Sequence, residues 1–202
     1  MARIRAEQPA SIADVAGDWF FCALWQGDWA GAAEALGGLG DNPVLADNSI
    51  ILSRQFGEGL LARAMHNDAK AAEAFAAARG EQEQVVEKRK DYGPPLCVLG
   101  LIDAALGKKG LALEEGKRAM ELMPVEKDSL NGQSVQIYFA ITAAWAGEKD
   151  LAFEYLALAG STPGAQNMGN YGELKLNPLW EPLRGDPRFE QYVAAKAPKE
   201  TK

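Results

Sequence analysis

Apolar residues recur every three or four positions along most of the chain, which predicts a series of amphipathic helices. A first helix begins near Asp14, carries Trp19, and breaks at Gly27-Asp28. A second helix with Trp29 and Leu36 follows and ends in a cluster of turn residues at 41–43. Similar pairs of helices follow three more times, so the pattern predicts an all-α chain.

The next apolar stripe spans residues 47–65 and predicts one helix, with Asp47 or Asn48 as its N-cap and Ile50 and Ile51 in its stripe. Its partner begins after the turn at 66–68 and continues past Gly80 to residue 90. In 81–90 acidic residues precede basic ones, an order that suits the helix macrodipole. This order favours a solvated helix end over a recognition patch.

The third pair runs from the helix-opening Gly93-Pro94-Pro95 through residues 99–124 and stops at Pro124. The fourth pair carries Tyr138 and Trp145 and turns at 147–150 before a partner helix up to Gly160. Each pair is therefore a helix, a short polar turn and a second helix.

The four pairs share one register. When they are aligned on the alanine after each turn, the successive spacings are 39, 41 and 40 residues, measured between Ala32, Ala71, Ala112 and Ala152. The next apolar position of this register holds a large side chain in the first, second and fourth pairs, whereas the third pair has Gly116 there. We therefore expect the loosest packing at Gly116 and at the charged Asp103 of the same pair. The alternative is an irregular helical bundle whose periodicity is accidental.

The Leu99-Gly100 pair, the small Ala119 and the closing Pro124 are spaced as in a tetratricopeptide (TPR) repeat. The chain resembles the TPR family over residues 13–160, with a period longer than the usual value of about 34 residues. Segments 106–128, 145–152 and 174–189 also resemble the C-terminal TPR region of bacterial multidomain signalling proteins, where it follows a kinase, cyclase or DNA-binding regulatory domain.

The resemblance implies a right-handed α-α superhelix, a TPR-like solenoid of about four helix-turn-helix units with a short C-terminal capping helix. We expect a flexible segment at 1–12, the solenoid at 13–160, a loop at 161–172, a cap at 173–195 and a disordered tail at 196–202. Asp186-Pro187 is a typical helix start, and the apolar residues of 173–195 can cover the open end of a solenoid. A docking site for a neighbouring domain is the alternative for the cap.

Composition narrows the classes of function. The formal net charge of −7 argues against nucleic-acid binding, which needs a basic surface. No apolar run is long enough to span a membrane, and the first residues lack the apolar core of a secretory signal, so we expect a cytoplasmic protein. Cys22 and Cys97 lie in apolar helical patterns, which predicts buried structural thiols.

Residues for catalysis or metal binding are scarce. His66 is the single histidine and lies in a predicted turn, so a zinc site lacks ligands. No phosphate-binding loop, nucleophile elbow or dinucleotide fingerprint occurs. The pair Glu114-Glu115 is expected on an exposed helix as solvated charge. We therefore expect no catalytic residue, no metal and no cofactor, and a chain that is not an enzyme.

Binding is better supported than catalysis. In the TPR register the first helix of each pair lines a concave groove, and groove positions rich in aromatic residues suit an apolar or aromatic peptide. The predicted function is a protein-interaction module that regulates a linked signalling domain; a small-molecule sensor and a homo-oligomerisation element are the alternatives. The predicted groove residues are Phe21, Trp25, Phe56, Leu60, Arg63, Leu101, Tyr138, Ile141 and Trp145.

Overall fold

The computed structural model describes residues 12–161 and 170–198. The predicted flexible segment 1–12 and the predicted tail 196–202 fall mostly outside these ranges, as does most of the predicted loop 161–172. The described part of that loop is helical at both edges, since one helix includes Ser161 and the next begins at Tyr171.

The described part is mainly helical, as predicted, with one short hairpin and with adjacent helices packed in pairs. The elements in chain order are α1 (Ile12–Gln26), α2 (Trp29–Gly38), β1 (Leu45–Asp47), β2 (Ile50–Leu52), α3 (Arg54–Ala64), α4 (Asp68–Lys88), α5 (Gly93–Ala105), α6 (Lys109–Leu122), α7 (Ser129–Trp145), α8 (Lys149–Ser161), α9 (Tyr171–Leu176), a 3-10 helix (Pro178–Leu183) and α10 (Pro187–Ala195).

The four turns inside the helix pairs have the same geometry. In each turn one residue adopts a left-handed conformation, with φ of 70° at Gly27, 57° at His66, 75° at Gly107 and 81° at Gly147. Two backbone N–H groups then donate to the last turn of the preceding helix, as in a Schellman motif. These turns follow one another at the spacing read from the alanines, so the sequence repeat is also a structural repeat.

Residues 45–52 form an antiparallel hairpin, so the helix predicted over 47–65 is wrong in its first part. Asn48 adopts a φ of 52°, which suits the tip of a two-residue turn. Ile50 and Leu52 are buried while Ile51 is 53% exposed, the alternation of a strand. Helix α3 starts only at Arg54, where the Ser53 side chain accepts a hydrogen bond from the Phe56 N–H.

The helix pairs pack on one another through small residues. Helix α5 contacts α4, α6 and α7, and α6 also contacts α7. Gly116 of α6 lies against the ring of Phe139, which occupies the space that a Cβ atom would need. The loose packing expected at Gly116 is therefore wrong, because a side chain from the next helix pair fills the position.

The C-terminal segment packs on the fourth helix pair. The Trp145 Nε1–H of α7 donates to the Leu179 carbonyl oxygen at 2.7 Å, and Arg188 of α10 donates to Asp150 of α8 at 2.6 Å. Trp180 and Phe189 are fully buried beneath this contact. Asp186 caps α10 and Pro187 occupies its first turn, in agreement with the predicted helix start.

Two further sequence expectations concern solvent exposure. Cys97 is buried as predicted, and burial raises the pKa of its thiol to about 12. Cys22 is exposed, which corrects its prediction as a buried thiol, because it lies on the outer side of α1.

Among the helices in 12–161 and 170–198, none combines the length and apolarity needed to cross a membrane.

Candidate functional site

The structure places most of the predicted groove residues in the core. Phe56, Leu60, Leu101, Tyr138 and Ile141 are at most 2% exposed, and Phe21 is 7% exposed. A side chain buried to this degree cannot contact a partner while the fold stays closed, so these positions do not line an open groove. The remaining three, Trp25, Arg63 and Trp145, are half-buried.

Three of the nine residues meet in one cluster that joins the second and fourth helix pairs. The rings of Phe56 and Trp145 lie 6.5 Å apart, and Phe75 approaches both at 5.4 and 6.1 Å between centroids. The Arg63 guanidinium lies 4.2 Å from the centre of the Trp145 ring and donates to the Ala105 carbonyl oxygen at 2.7 Å. Burial lowers the pKa of Arg63, although Asp68 acts in the opposite direction. The cluster therefore packs side chains of the second helix pair directly against Trp145 of the fourth.

The hairpin contacts the third and fourth helix pairs. Strand β2 packs on α5, and the Asn48 amide at the hairpin tip donates to the Ser134 hydroxyl of α7 at 3.2 Å. Burial raises the pKa of Tyr138 well above its usual range, and the nearby Asp47 and Glu173 carboxyls raise it further. The hairpin thus contacts α5 and α7, the helices that carry the predicted groove residues Leu101, Tyr138 and Ile141.

Glu173 of α9 belongs to the same buried region. It accepts hydrogen bonds from the Asn177 amide at 2.7 Å and from the Trp180 Nε1–H at 3.1 Å. Burial raises the pKa of Glu173 to about 7, against the effect of these two hydrogen bonds. Each carboxyl oxygen accepts one of these hydrogen bonds, so Glu173 ties α9 to the 3-10 helix that follows it.

The buried Asp103 and the half-buried Glu115 lie together where α4, α5 and α6 meet. Asp103 is fully buried and accepts from Arg79 through both oxygens, at 2.5 and 3.1 Å, and Lys108 lies 3.2 Å away. Burial, together with the Asp103 charge and against the effect of Arg79, raises the pKa of Glu115 to about 7. The expectation of solvated charge at Glu115 is therefore wrong, and the partner on α4 explains why Asp103 is tolerated in the core.

An open cleft lies on the other side of the hairpin. It has a volume of about 690 Å³ and lies between the segment 40–55, the C-terminal half of α4 and the start of α5. Its floor is apolar, with Ile51 53% exposed and Val85 41% exposed, beside the partly buried Tyr92. We name this feature the hairpin cleft.

Charged side chains line the rim of the hairpin cleft. Arg54, Lys88 and Arg89 carry positive charge, and Asp41 and Glu81 carry negative charge. The Arg54 guanidinium donates to the Gly40 carbonyl oxygen at 3.2 Å, and the Arg89 guanidinium lies 5.9 Å from the centre of the Tyr92 ring. An apolar floor with charged rims is the usual composition of a surface that binds a protein segment.

A second open cleft, of about 1030 Å³, separates α2 from α3. Trp29 and Met65 line it with exposures of 37% and 53%. Contact between the first and second helix pairs is sparse compared with the joints farther along the chain, because the segment 39–53 separates the two pairs.

One residue in the sequence indicates the hairpin cleft. Val85 is an apolar residue in the charged segment 81–90, where the charge order predicts a solvated helix end. Ile51 belongs to the predicted helical stripe, and only the strand directs it to solvent.

Within the described ranges no group of three or more His, Cys, Asp or Glu residues is placed to hold a metal ion. A comparison of the chain with known protein families and with curated proteins found no match.

Proposed function

We propose that this chain is a non-catalytic interaction module, a TPR-like solenoid that binds a segment of a partner protein. The surface we assign to binding is the hairpin cleft, in place of the predicted groove. The observation that carries the proposal is that two exposed apolar side chains, Ile51 and Val85, line the same open cleft of about 690 Å³. Exposed apolar side chains grouped in a cleft with a polar rim are typical of interaction sites.

The repeated helix pairs and their common turns support the solenoid part of the proposal, since stacked helix pairs present extended surfaces to partners. The resemblance to the C-terminal TPR region of bacterial multidomain signalling proteins supports a regulatory role for this module. Regulation of a linked signalling domain and a cytoplasmic location belong to this proposal.

Site-specific photo-crosslinking in cells that express the chain tests the proposal. A photoreactive amino acid replaces Ile51 or Val85 in the cleft, and Leu130 or Leu111 serves as a control outside it, with matched exposures of 54% and 47%. We expect a discrete crosslinked protein from the two cleft positions and none from the controls. Equal products from all four positions, or none from the cleft, would contradict the proposal.

The small-molecule sensor remains a second candidate because of the cleft between α2 and α3. Its volume of about 1030 Å³ and its Trp29 and Leu36 lining suit a ligand of drug size. A metabolite that raises the melting temperature of the wild-type chain but not that of Trp29→Ala would favour this function.

A further inference from the structure

Three cations at the hairpin cleft have no acidic partner. Among the described residues, Arg54, Lys88 and Arg89 form no ion pair, as is also true of scattered surface lysines such as Lys70 and Lys149, whereas Lys90 and Arg118 are paired with Glu87 and Glu121. What distinguishes the three cations is that they line one cleft. Unpaired cations that share one cleft are therefore available to an external anion.

The cleft also has a direction. Glu81, Val85 and Lys88 follow one another along one side of α4, so the cleft changes from acidic to apolar to basic over about two helical turns. Asp41 lies on the opposite rim, beside the Gly40 carbonyl that Arg54 holds. A uniformly acidic ligand would meet Glu81 and Asp41, so the geometry favours a ligand with its carboxylates at the basic end.

The spacing sets the pattern of such a ligand. Val85 and the basic pair Lys88 and Arg89 are separated by three or four helical residues, a rise of about 5 Å. An extended peptide advances about 3.3 Å per residue, so a carboxylate would stand about two residues from the apolar side chain that contacts Val85.

We propose that the partner segment is an acidic-apolar peptide, a deepening that rests on the proposed function of the hairpin cleft. One apolar side chain of the peptide packs on Ile51 and Val85. Its carboxylates, about two residues away, pair with Lys88, Arg89 and Arg54.

Selection from a random dodecapeptide phage library on the immobilised full chain tests this inference. We expect the selected peptides to be enriched in Asp and Glu about two residues from a large apolar residue. A labelled synthetic copy of the most enriched peptide is then titrated by fluorescence anisotropy. Its affinity should fall about tenfold in Arg54→Gln/Lys88→Gln/Arg89→Gln, and should also weaken as salt rises from about 0.01 to 0.15 M.

Matched variants distinguish the outcomes. Lys117→Gln/Arg118→Gln/Lys127→Gln removes the same charge from outside the cleft and should leave the affinity unchanged. The double variant Lys88→Gln/Arg89→Gln retains the Arg54–Gly40 contact and should still lose affinity for the peptide. It therefore tests the charges even if loss of that contact disturbs folding of the triple variant. Peptides without acidic enrichment that lose binding in Ile51→Ser/Val85→Ser would overturn this inference and leave the proposed function intact. A failure to select peptides, or peptides insensitive to both sets of cleft variants, would overturn both.

Discussion

At the scale of single residues, two positions that looked like defects in the repeat are sites of close packing. Gly116 replaces a large apolar residue of the register, and the Phe139 ring fills the space from the next helix pair. Asp103 replaces an apolar residue, and its charge is paired with Arg79 of the preceding pair. In both cases the group that fills the space or balances the charge comes from a different helix pair. The sequence of the third helix pair alone therefore does not reveal it.

The substitution Gly116→Ala should destabilise the chain by about 2–3 kcal/mol, because the new methyl group overlaps the Phe139 ring. Denaturant unfolding measures the change in free energy. Gly110→Ala lies in the same helix with no neighbour near its Cβ position and should add about 0.5–1 kcal/mol. A loss of stability at both positions would indicate a general effect on the helix and not the Phe139 contact.

Glu115 should make stability depend on pH. Its folded-state pKa of about 7 lies above the ordinary value of 4.5, so the folded chain keeps a proton that the unfolded chain has released. The stabilising contribution is fully present below about pH 4.5 and is lost as the pH rises through about 7. Relative to Glu115→Gln, we expect the wild-type free energy of unfolding to fall by about 1–2 kcal/mol over this range, after a discount for partial exposure.

Unfolding curves at several pH values between about 4.5 and 7.5 measure this difference. Glu114→Gln removes a carboxyl from the solvent side of the same helical turn and should retain the wild-type pH profile. A pH profile of Glu115→Gln that runs parallel to the wild-type profile would contradict the assignment.

At the scale of elements, the four turns show how one local motif tolerates a change of residue. Three of them place glycine in the left-handed position, and the second places His66 there. A side chain with a Cβ atom pays a steric cost in this conformation that glycine avoids. The turn at His66 forms nevertheless because its two backbone hydrogen bonds match those of the other turns.

We therefore expect His66→Gly to raise the free energy of unfolding by about 1 kcal/mol. The reverse change in the equivalent turn, Gly107→Ala, should lower it by at least about 1 kcal/mol, since the Gly107 φ is 75°. Thermal and denaturant unfolding would both report the two changes. No gain in His66→Gly would mean that the histidine side chain makes a compensating contact.

The hairpin is the element that sequence periodicity assigned to the wrong class. Ile50, Ile51 and Leu52 fit a helical stripe as well as a strand, and a short apolar run does not separate the two. Packing against α5 favours the strand, because a strand can bury Ile50 and Leu52 while it directs Ile51 to solvent.

Ile50→Ala should cost about 2–4 kcal/mol, as expected for a fully buried aliphatic side chain. Ile51→Ala should stay within about 0.5 kcal/mol, because Ile51 is 53% exposed. Urea unfolding of the two variants tests the alternation, and similar losses at both positions would contradict the strand assignment.

At the scale of the whole molecule, the second and fourth helix pairs are joined directly by Arg63, Phe56 and Trp145. These residues were predicted to face a ligand, and they face one another. A solenoid in which each pair contacts only its neighbours would unfold in steps, whereas a contact between the second and fourth pairs couples them.

A double-mutant cycle between Arg63→Ala and Trp145→Ala should give a coupling energy of about 1–2 kcal/mol, because the guanidinium lies 4.2 Å from the ring centre in a half-buried site. The same cycle for Arg89 and Tyr92, which lie 5.9 Å apart at the surface, should give at most about 0.5 kcal/mol. A coupling energy near zero between Arg63 and Trp145 would show that this contact does not couple the two helix pairs.

The sequence by itself determined the helix pairs, their common register, the turns inside them and the start of α10. These features depend on residues within a few positions of one another, such as a left-handed glycine, an Asx cap or a proline in a first turn. Tertiary structure decided the hairpin, the contact between the second and fourth helix pairs, the environment of Glu115 and the position of the open cleft. These depend on which distant side chains remove a residue from water, because burial of apolar surface and carboxyl groups is set by the assembled chain.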